Sequence, residues 1–315
     1  MPNIVVQGRQ TPWLGIGYSG EWDCSADALA VAHMDFEVVR ENTYWNKPDL
    51  VEGDIEVVSP ELLPMYANVR QDTHKVLGCV TPQYKIIQNA DAFSLIDPFL
   101  GNGKITHVGM TDAGLCFMVA NVRADQIIGG EPYEIDIMVT NSFNGNYPCQ
   151  IIMTPVRIYC QNMYRGLIND KVFLAKHTRT ANDRIIQIAG SNEIDKKVNL
   201  LAGVIESSQT KKIDARKLES LIALLFPFPK PGPRELVYRE KAEENRQLFI
   251  DKYYNAADNE DHKGTAFGFI NAYYDYLSHR DCQKNMQGSK WEDRRLSGLV
   301  SGVDIKHNVI KAAME

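Results

Sequence analysis

Side chains that can bind phosphate are concentrated in one part of the sequence, residues 157–217. This segment contains twelve basic and six acidic residues, so its net charge is +6. Arg157, Gln161 and Arg165 are spaced four residues apart, and Lys176-His177-Thr178-Arg179 places three potential phosphate donors and a hydroxyl in four residues. Lysine and arginine neutralise phosphate charges, which is the basis of sequence-independent nucleic-acid binding. A basic face that contacts only solvent would have the same composition.

Motifs for catalysis or metal binding are weak in comparison. The histidines lack the spacing of a zinc site, and the six cysteines never form a C-x-x-C pair. We therefore predict no catalytic residues, no cofactor and no metal site. The alternative is a metal-dependent enzyme, in which the fold gathers carboxylates that are distant in sequence, such as Asp72, Asp136 and Asp275, around Mg²⁺.

Strand patterns dominate up to about residue 156. Residues 114–122, 133–140 and 149–153 are rich in apolar and β-branched side chains, and we expect them to form an antiparallel meander. Asn144-Gly145 is typical of a hairpin turn, so the loop Asn141–Pro148 should form the tip of this meander.

A helix is predicted directly after the meander, over residues 154–166. Thr154-Pro155 has the residue types of an N-cap and a first helical position, and Gly166 is typical of a helix end. An apolar stripe on this helix would leave Arg157 and Arg165 on an exposed face. The sequence therefore predicts a β-β-β-α core.

The expected fold class is α+β, with an N-terminal antiparallel β-meander followed by a mostly helical C-terminal region. Four prolines in the eight residues 226–233 cannot continue a helix and predict a stiff connector. We expect residues 1–225 to form an α+β core that includes a basic helical segment, 157–217, and residues 234–315 to form a helical C-terminal region. Helices are predicted over residues 182–207, 214–225, 234–256, 265–278 and 291–312.

Composition excludes several classes of protein. The 315 residues carry 34 basic and 40 acidic side chains, a net charge of −6, and 44% are hydrophobic, as in ordinary globular proteins. Residues 1–150 have a net charge of −11 and residues 151–315 one of +5. There is no signal-peptide pattern and no apolar run long enough for a membrane helix, so we predict a cytoplasmic protein without membrane contact.

Several phrases together resemble the phage/plasmid-like protein family, a prokaryotic domain of unknown function found on phages, plasmids and prophages. The phrases that carry the resemblance are PWLGIG (12–17), VRQD (69–72), YKIIQNADAF (84–93), TPVRIYCQN (154–162) and GTAFGFINA (264–272). This resemblance covers nearly the whole chain and implies a bacterial host cell. The meander-then-helix order is also similar to the core of single-strand annealing proteins of the Red-beta class, which assemble rings or filaments with DNA in a basic groove.

The leading hypothesis is a DNA-binding protein of a mobile element, acting in single-strand annealing or recombination as a homo-oligomer without a cofactor. Its partner would be single-stranded DNA, with double-stranded DNA as an alternative. Two other hypotheses stay open: a metal-dependent enzyme acting on nucleic acid or nucleotide, and a non-catalytic protein that binds a host factor through its acidic N-terminal half. The predicted nucleic-acid contacts are Arg157, Gln161, Arg165, Lys176, His177, Arg179, Arg184 and Asn144.

Overall fold

The computed structural model describes most of the chain. The described residues are 13, 15–51, 54–158, 160, 162–178, 193–279, 293, 296–298, 300–302 and 305–315. The strands are β1 (Tyr18–Trp22), β2 (Val38–Val51), β3 (Asp54–Arg70), β4 (Val76–Val80), β5 (Lys104–Met110), β6 (Leu115–Ile128), β7 (Glu131–Ser142), β8 (Cys149–Arg157), β9 (Asn162–Met163) and β10 (Lys171–Ala175). The α-helices are α1 (Ser25–Val31), α2 (Asn89–Phe93), α3 (Asp97–Leu100), α4 (Glu193–Thr210), α5 (Ala215–Leu225), α6 (Glu235–Asn255), α7 (Ala266–His279) and α8 (His307–Met314), with 3₁₀ helices at Ser94–Ile96 and Ala257–His262.

A seven-stranded antiparallel sheet forms the centre of the molecule. Its strand order is β1-β5-β6-β7-β8-β10, and the short strand β9 also pairs with β8. The meander predicted from the sequence is confirmed as β6, β7 and β8, and the helical region follows it as expected. The α+β class is therefore confirmed.

Each face of this sheet is covered by a different part of the chain. Side chains such as Ile135, Ile137 and Val139 of β7 belong to the larger hydrophobic cluster, which includes residues of α4, α5, α6, α7 and α8. Met138, on the opposite face, belongs to a smaller cluster together with Trp13 near the N-terminus. Burial on both faces explains the continuous apolar runs Ile137–Val139 in β7 and Ile151–Met153 in β8.

The helix predicted over residues 154–166 is wrong. Thr154 and Pro155 belong to β8, in which every side chain from Cys149 to Arg157 is buried. The main-chain N–H of Tyr164 donates to the carbonyl of Pro155 (2.9 Å), and the N–H of Met153 donates to that of Asp170 on the same side of the strand. The Pro155 nitrogen points to the same side of β8, at a position where the pairing of β8 with β10 has already ended. A proline is tolerated there because its missing N–H removes no hydrogen bond between these two strands.

A long two-stranded ribbon extends from a second, three-stranded sheet. This sheet has the order β2-β3-β4. Strand β4 pairs with β3 only over Tyr66–Val69, so residues 54–65 of β3 pair only with β2 among the described strands. We call residues 41–51 and 54–65 the arm. The arm was not predicted from the sequence, and it contains Pro48, Pro60 and Pro64, a residue type that is unusual in strands.

The helices predicted over residues 214–225, 234–256 and 265–278 are confirmed as α5, α6 and α7. Helix α4 ends at Thr210, and the first part of the helix predicted over 182–207 lies outside the described residues. The single helix predicted over residues 291–312 is wrong, because Gly302 has φ +72° and residues 305–306 are not helical before α8 begins at His307.

Helix α7 is central, and all its side chains from Ala266 to Ser278 are buried. Phe226 of the connector packs on Phe249 (6.0 Å between ring centroids) and Tyr276 (5.1 Å). The division of the chain at residues 226–233 stays a prediction. Among the described residues, no helix is long and apolar enough to cross a membrane.

Candidate nucleic-acid interface

The tip of the β7–β8 hairpin is held in shape by its own side chains. Gly145 has φ +80°, the left-handed conformation that an Asn-Gly turn requires. Asn144 Oδ1 accepts from the N–H of Asn146 (3.0 Å), while Asn144 Nδ2 donates to the carbonyl of Ala113 (2.9 Å). Ser142 Oγ donates to the carbonyl of Tyr147 (2.7 Å). The predicted contact residue Asn144 is thus engaged within the loop, whereas Gly145 and Asn146 are exposed.

Two further segments pack against this tip. Tyr84 Oη donates to the carbonyl of Ser142 (2.6 Å). The His177 ring stacks on the Tyr84 ring, with centroids 4.6 Å apart and 10° between the planes. His177 Nδ1 donates to the carbonyl of Lys85 (3.0 Å), and the N–H of Lys85 donates to the carbonyl of His177 (2.9 Å). Residues 81–88, 141–148 and 174–178 therefore meet on one surface, which we call the hairpin-tip surface.

The hairpin-tip surface is cationic, although two of its three segments come from the acidic half of the chain. Its three segments contain Lys85 and Lys176 and no carboxylate, although residues 1–150 have a net charge of −11. Both lysines are exposed. Arg40 of β2 is exposed as well, and its guanidinium donates to the carbonyl of Tyr84. Three cations therefore surround the Tyr84–His177 stack.

His177 contributes shape rather than charge to this surface. Its side chain is buried. Burial lowers the pKa of His177, and the backbone carbonyls of Lys85 and Tyr147 oppose that shift. The ring is neutral at pH 7, so it positions its neighbours Lys85 and Lys176 instead of binding phosphate as a cation.

The position expected for Arg157, on an exposed helix face, is wrong. Arg157 lies at the end of β8 and is 3% exposed. Its Nε donates to Glu131 Oε2 (2.5 Å), and its Nη1 donates to the carbonyl of Asp258 (2.9 Å). Glu131 also bonds His262 Nε2 (2.7 Å), so the guanidinium joins the central sheet to the 3₁₀ helix before α7.

The exposed position expected for Arg165 is wrong for the same reason. Arg165 is 3% exposed and forms an ion pair with Asp170, while its Nη2 donates to the carbonyl of Val300 (2.9 Å). Asp170 in turn accepts from the N–H of Gly166 (2.6 Å). This pair closes the turn between β9 and β10. The structure therefore brings together only Lys176, His177 and Asn144 among the predicted contacts, while Gln161, Arg179 and Arg184 lie outside the described residues.

The three carboxylates proposed as Mg²⁺ ligands do not come together. Asp72 pairs with Arg70 (2.7 Å), and Asp275 accepts from Lys252 Nζ (2.6 Å). Asp136 is buried on β7 and accepts from Asn121 Nδ2 (3.0 Å). Within the described part of the chain, no group of three His, Cys, Asp or Glu residues could hold a metal ion.

Sequence reasoning missed Arg40 and Lys85. Residues 84–88 form an irregular segment against the hairpin. No local pattern in the sequence indicates that Tyr84 stacks on a histidine 93 positions later. Such a contact is formed only by the tertiary fold.

A comparison with protein-family models identifies this region as part of a larger family domain. A model described as a domain of unknown function (DUF932) matches residues 76–298, which is more than half of the 315 residues. Searches of curated proteins and of solved structures gave no significant match. The matched range includes the three segments of the hairpin-tip surface. The chain belongs to the DUF932 family.

Proposed function

We propose that this protein binds nucleic acid through the phosphate backbone at the hairpin-tip surface. The observation that carries the proposal is the convergence of Lys85 and Lys176 from two segments that, like the loop between them, contain no carboxylate. Exposed lysines without neutralising acids release counterions when they bind phosphate, and this release favours binding.

The bound form is single-stranded nucleic acid in this proposal, with duplex DNA as the alternative. The resemblance of the sequence phrases to the phage/plasmid-like family supports a role on phages and plasmids within a bacterial cell. A role in annealing or recombination was inferred from a β-β-β-α core, and it has no support from the helix of that core, because residues 154–157 belong to β8. The Tyr84–His177 stack is buried, so it does not serve as a platform for bases. Affinity therefore depends on phosphates, and we expect little sequence preference.

Charge reversal at the hairpin tip tests the proposal. The double variant Lys85→Glu/Lys176→Glu places two negative charges where phosphates would lie, and we expect its affinity for a fluorescent single-stranded oligonucleotide to fall at least about tenfold. Lys311→Glu is the control, because Lys311 is 79% exposed on α8 and lies outside the three segments of the hairpin-tip surface. Equal affinity in the double variant and the wild type, or equal losses in the double variant and the control, would rule out this surface.

A further inference from the structure

The arm exposes apolar side chains on both of its faces. Tyr44 pairs with Leu62 across the ribbon, and these two side chains are 56% and 60% exposed. The next pair is Trp45 and Glu61, and Trp45 is 50% exposed. Directly paired residues of an antiparallel ribbon lie on one face and successive pairs alternate between faces. Both faces of the arm therefore offer apolar surface to a partner.

A ribbon of this kind gains little stability by itself. Two-stranded hairpins are only marginally stable in water, and clusters of exposed apolar side chains usually mark interaction sites. The edges are poor templates for an added strand, because prolines at positions 48, 60 and 64 cannot donate a main-chain hydrogen bond. The faces of the arm, rather than its edges, are the surface that a partner would cover.

The same chain has a second exposed apolar surface, at the connector and the start of α6. Phe228 is 42% exposed although Arg239 and Arg246 lie over its ring, with their Cζ atoms 5.2 and 3.7 Å from the centroid. Leu236 and Val237 are 75% and 63% exposed. We call residues 226–241 the connector face. Glu235 is half-buried, and every side chain from Leu236 to Lys241 is exposed. The first turns of α6 are therefore not packed against the body of the described chain.

The two surfaces carry opposite charge. The arm contains five acidic residues and one lysine, a net charge of −4. The connector face contains Lys230, Arg234, Arg239 and Lys241 against two glutamates, a net charge of +2. Complementary charge of this kind directs association and fixes which surfaces meet. The described apolar side chains of both surfaces, such as Leu62 and Leu236, are exposed within one chain, so these parts of the two surfaces do not cover each other intramolecularly.

We propose that the arm of one molecule docks on the connector face of a second copy of this chain. A strand of about ten residues is roughly 33 Å long, which is enough to span an interface of standard size. Because the two surfaces differ, the contact is head-to-tail and repeats from copy to copy, giving a ring or a filament. The proposal does not depend on nucleic-acid binding, and the two are tested separately.

The experiment uses two variants of the full-length protein. Trp45→Ser/Leu62→Ser removes apolar area from the arm, and Leu236→Ser/Val237→Ser removes it from the connector face. All four side chains are exposed, so circular dichroism should show an unchanged fold. Analytical ultracentrifugation should show assemblies for the wild type that weaken with added salt, and monomers for each variant alone.

Mixing the two variants in equal amounts gives the decisive result. The arm variant keeps an intact connector face and the other variant an intact arm, so the mixture should form a 1:1 heterodimer and nothing larger. A connector-face variant that still assembles alone would indicate an arm-to-arm contact and overturn the proposal. A wild type that stays monomeric at its highest soluble concentration, or a mixture that stays monomeric, would also overturn it.

Discussion

The imidazole of His177 stacks on the phenol ring of Tyr84, with centroids 4.6 Å apart. This contact connects the end of β10 to the irregular segment before α2, and the Tyr84 hydroxyl extends the connection to the carbonyl of Ser142 at the hairpin (2.6 Å). Lys85 and Lys176 are the immediate chain neighbours of the two rings. The stack therefore determines the distance between the two lysines that we propose to bind phosphate.

Substitution of Tyr84 should uncouple these segments. Tyr84→Phe keeps the stack but leaves the Ser142 carbonyl without its donor, and we expect a loss of about 1–2 kcal/mol in the free energy of unfolding. Tyr84→Ala also removes the ring and should cost about 3–5 kcal/mol. Urea unfolding measures both values, and Tyr254→Phe is the control because Tyr254 is 47% exposed. If Tyr84→Ala were as stable as the wild type, the stack would not hold this surface together.

Arg157 should matter for stability and not for nucleic-acid binding. Arg157→Ala leaves the partly buried carboxylate of Glu131 and the Asp258 carboxylate without the Arg157 cation, and we expect a loss of about 3 kcal/mol. Arg123→Ala breaks a pair with Asp195 in which both side chains are exposed, so it should cost less than about 1 kcal/mol. Arg157→Lys should retain wild-type affinity for DNA. A stable Arg157→Lys protein with lost DNA affinity would instead favour the role predicted from the sequence.

Asp136 should make the protein less stable as the pH rises. Burial, with a smaller contribution from the charge of Glu134, raises the pKa of Asp136 to about 8 in the folded protein. The unfolded carboxyl titrates near 4, so between about pH 4 and pH 8 the folded state holds a proton that the unfolded state has lost. The free energy of unfolding should therefore fall by up to about 1.4 kcal/mol per pH unit in this range.

The neutral variant Asp136→Asn removes this titration. Its stability relative to the wild type should increase from pH 5 to pH 8, because only the wild type must keep a buried proton or accept a buried charge. Urea unfolding of both proteins at the two pH values gives the difference. A stability difference that is the same at both pH values would show that Asp136 titrates normally.

Two glycines should respond in opposite directions to the same substitution. A Cβ atom on Gly78 would lie 2.5 Å from Asn144 Cβ, so Gly78→Ala should push β4 away from the hairpin tip and cost about 1–3 kcal/mol. Gly203 lies within α4, and a Cβ atom there would meet no described residue outside this helix within 4 Å. Gly203→Ala should therefore stabilise the helix by up to about 1 kcal/mol. Thermal unfolding of both variants measures the contrast, and a neutral Gly78→Ala would mean that β4 and the hairpin tip are not in close contact.

The sequence was most informative where local patterns and burial agree. Strands β6 and β7 and the helices α5, α6 and α7 follow periodicity and turn residues, and the Asn144-Gly145 turn lies where its residue types indicate. Thr154-Pro155 led to the wrong prediction of a helix, because the residue types that begin a helix also fit a buried strand. Proline is tolerated at this point of β8 because the neighbouring strand β10 no longer pairs with it. That single error placed Arg157 and Arg165 on a surface, whereas tertiary ion pairs bury both.

The candidate site was only partly predictable. Lys176 and the hairpin loop are recognisable from charge and turn residues. Lys85 and Arg40 join them through hydrogen bonds to residues that are far away in the sequence, and no short-range pattern encodes these contacts. The arm was not predicted either, and its prolines are of a type that only edge strands tolerate.

The salt dependence of DNA binding tests the central claim most directly. The slope of log K against log salt concentration counts phosphates neutralised by cations, at about 0.7 per contact for single strands. Neutral Lys85→Gln/Lys176→Gln removes two such contacts, so its slope should be shallower than that of the wild type by about 1.4. Lys311→Gln, on the exposed side of α8, should leave the slope unchanged. A wild-type protein that binds neither single- nor double-stranded DNA at low salt, or a double variant with the wild-type slope, would contradict the account.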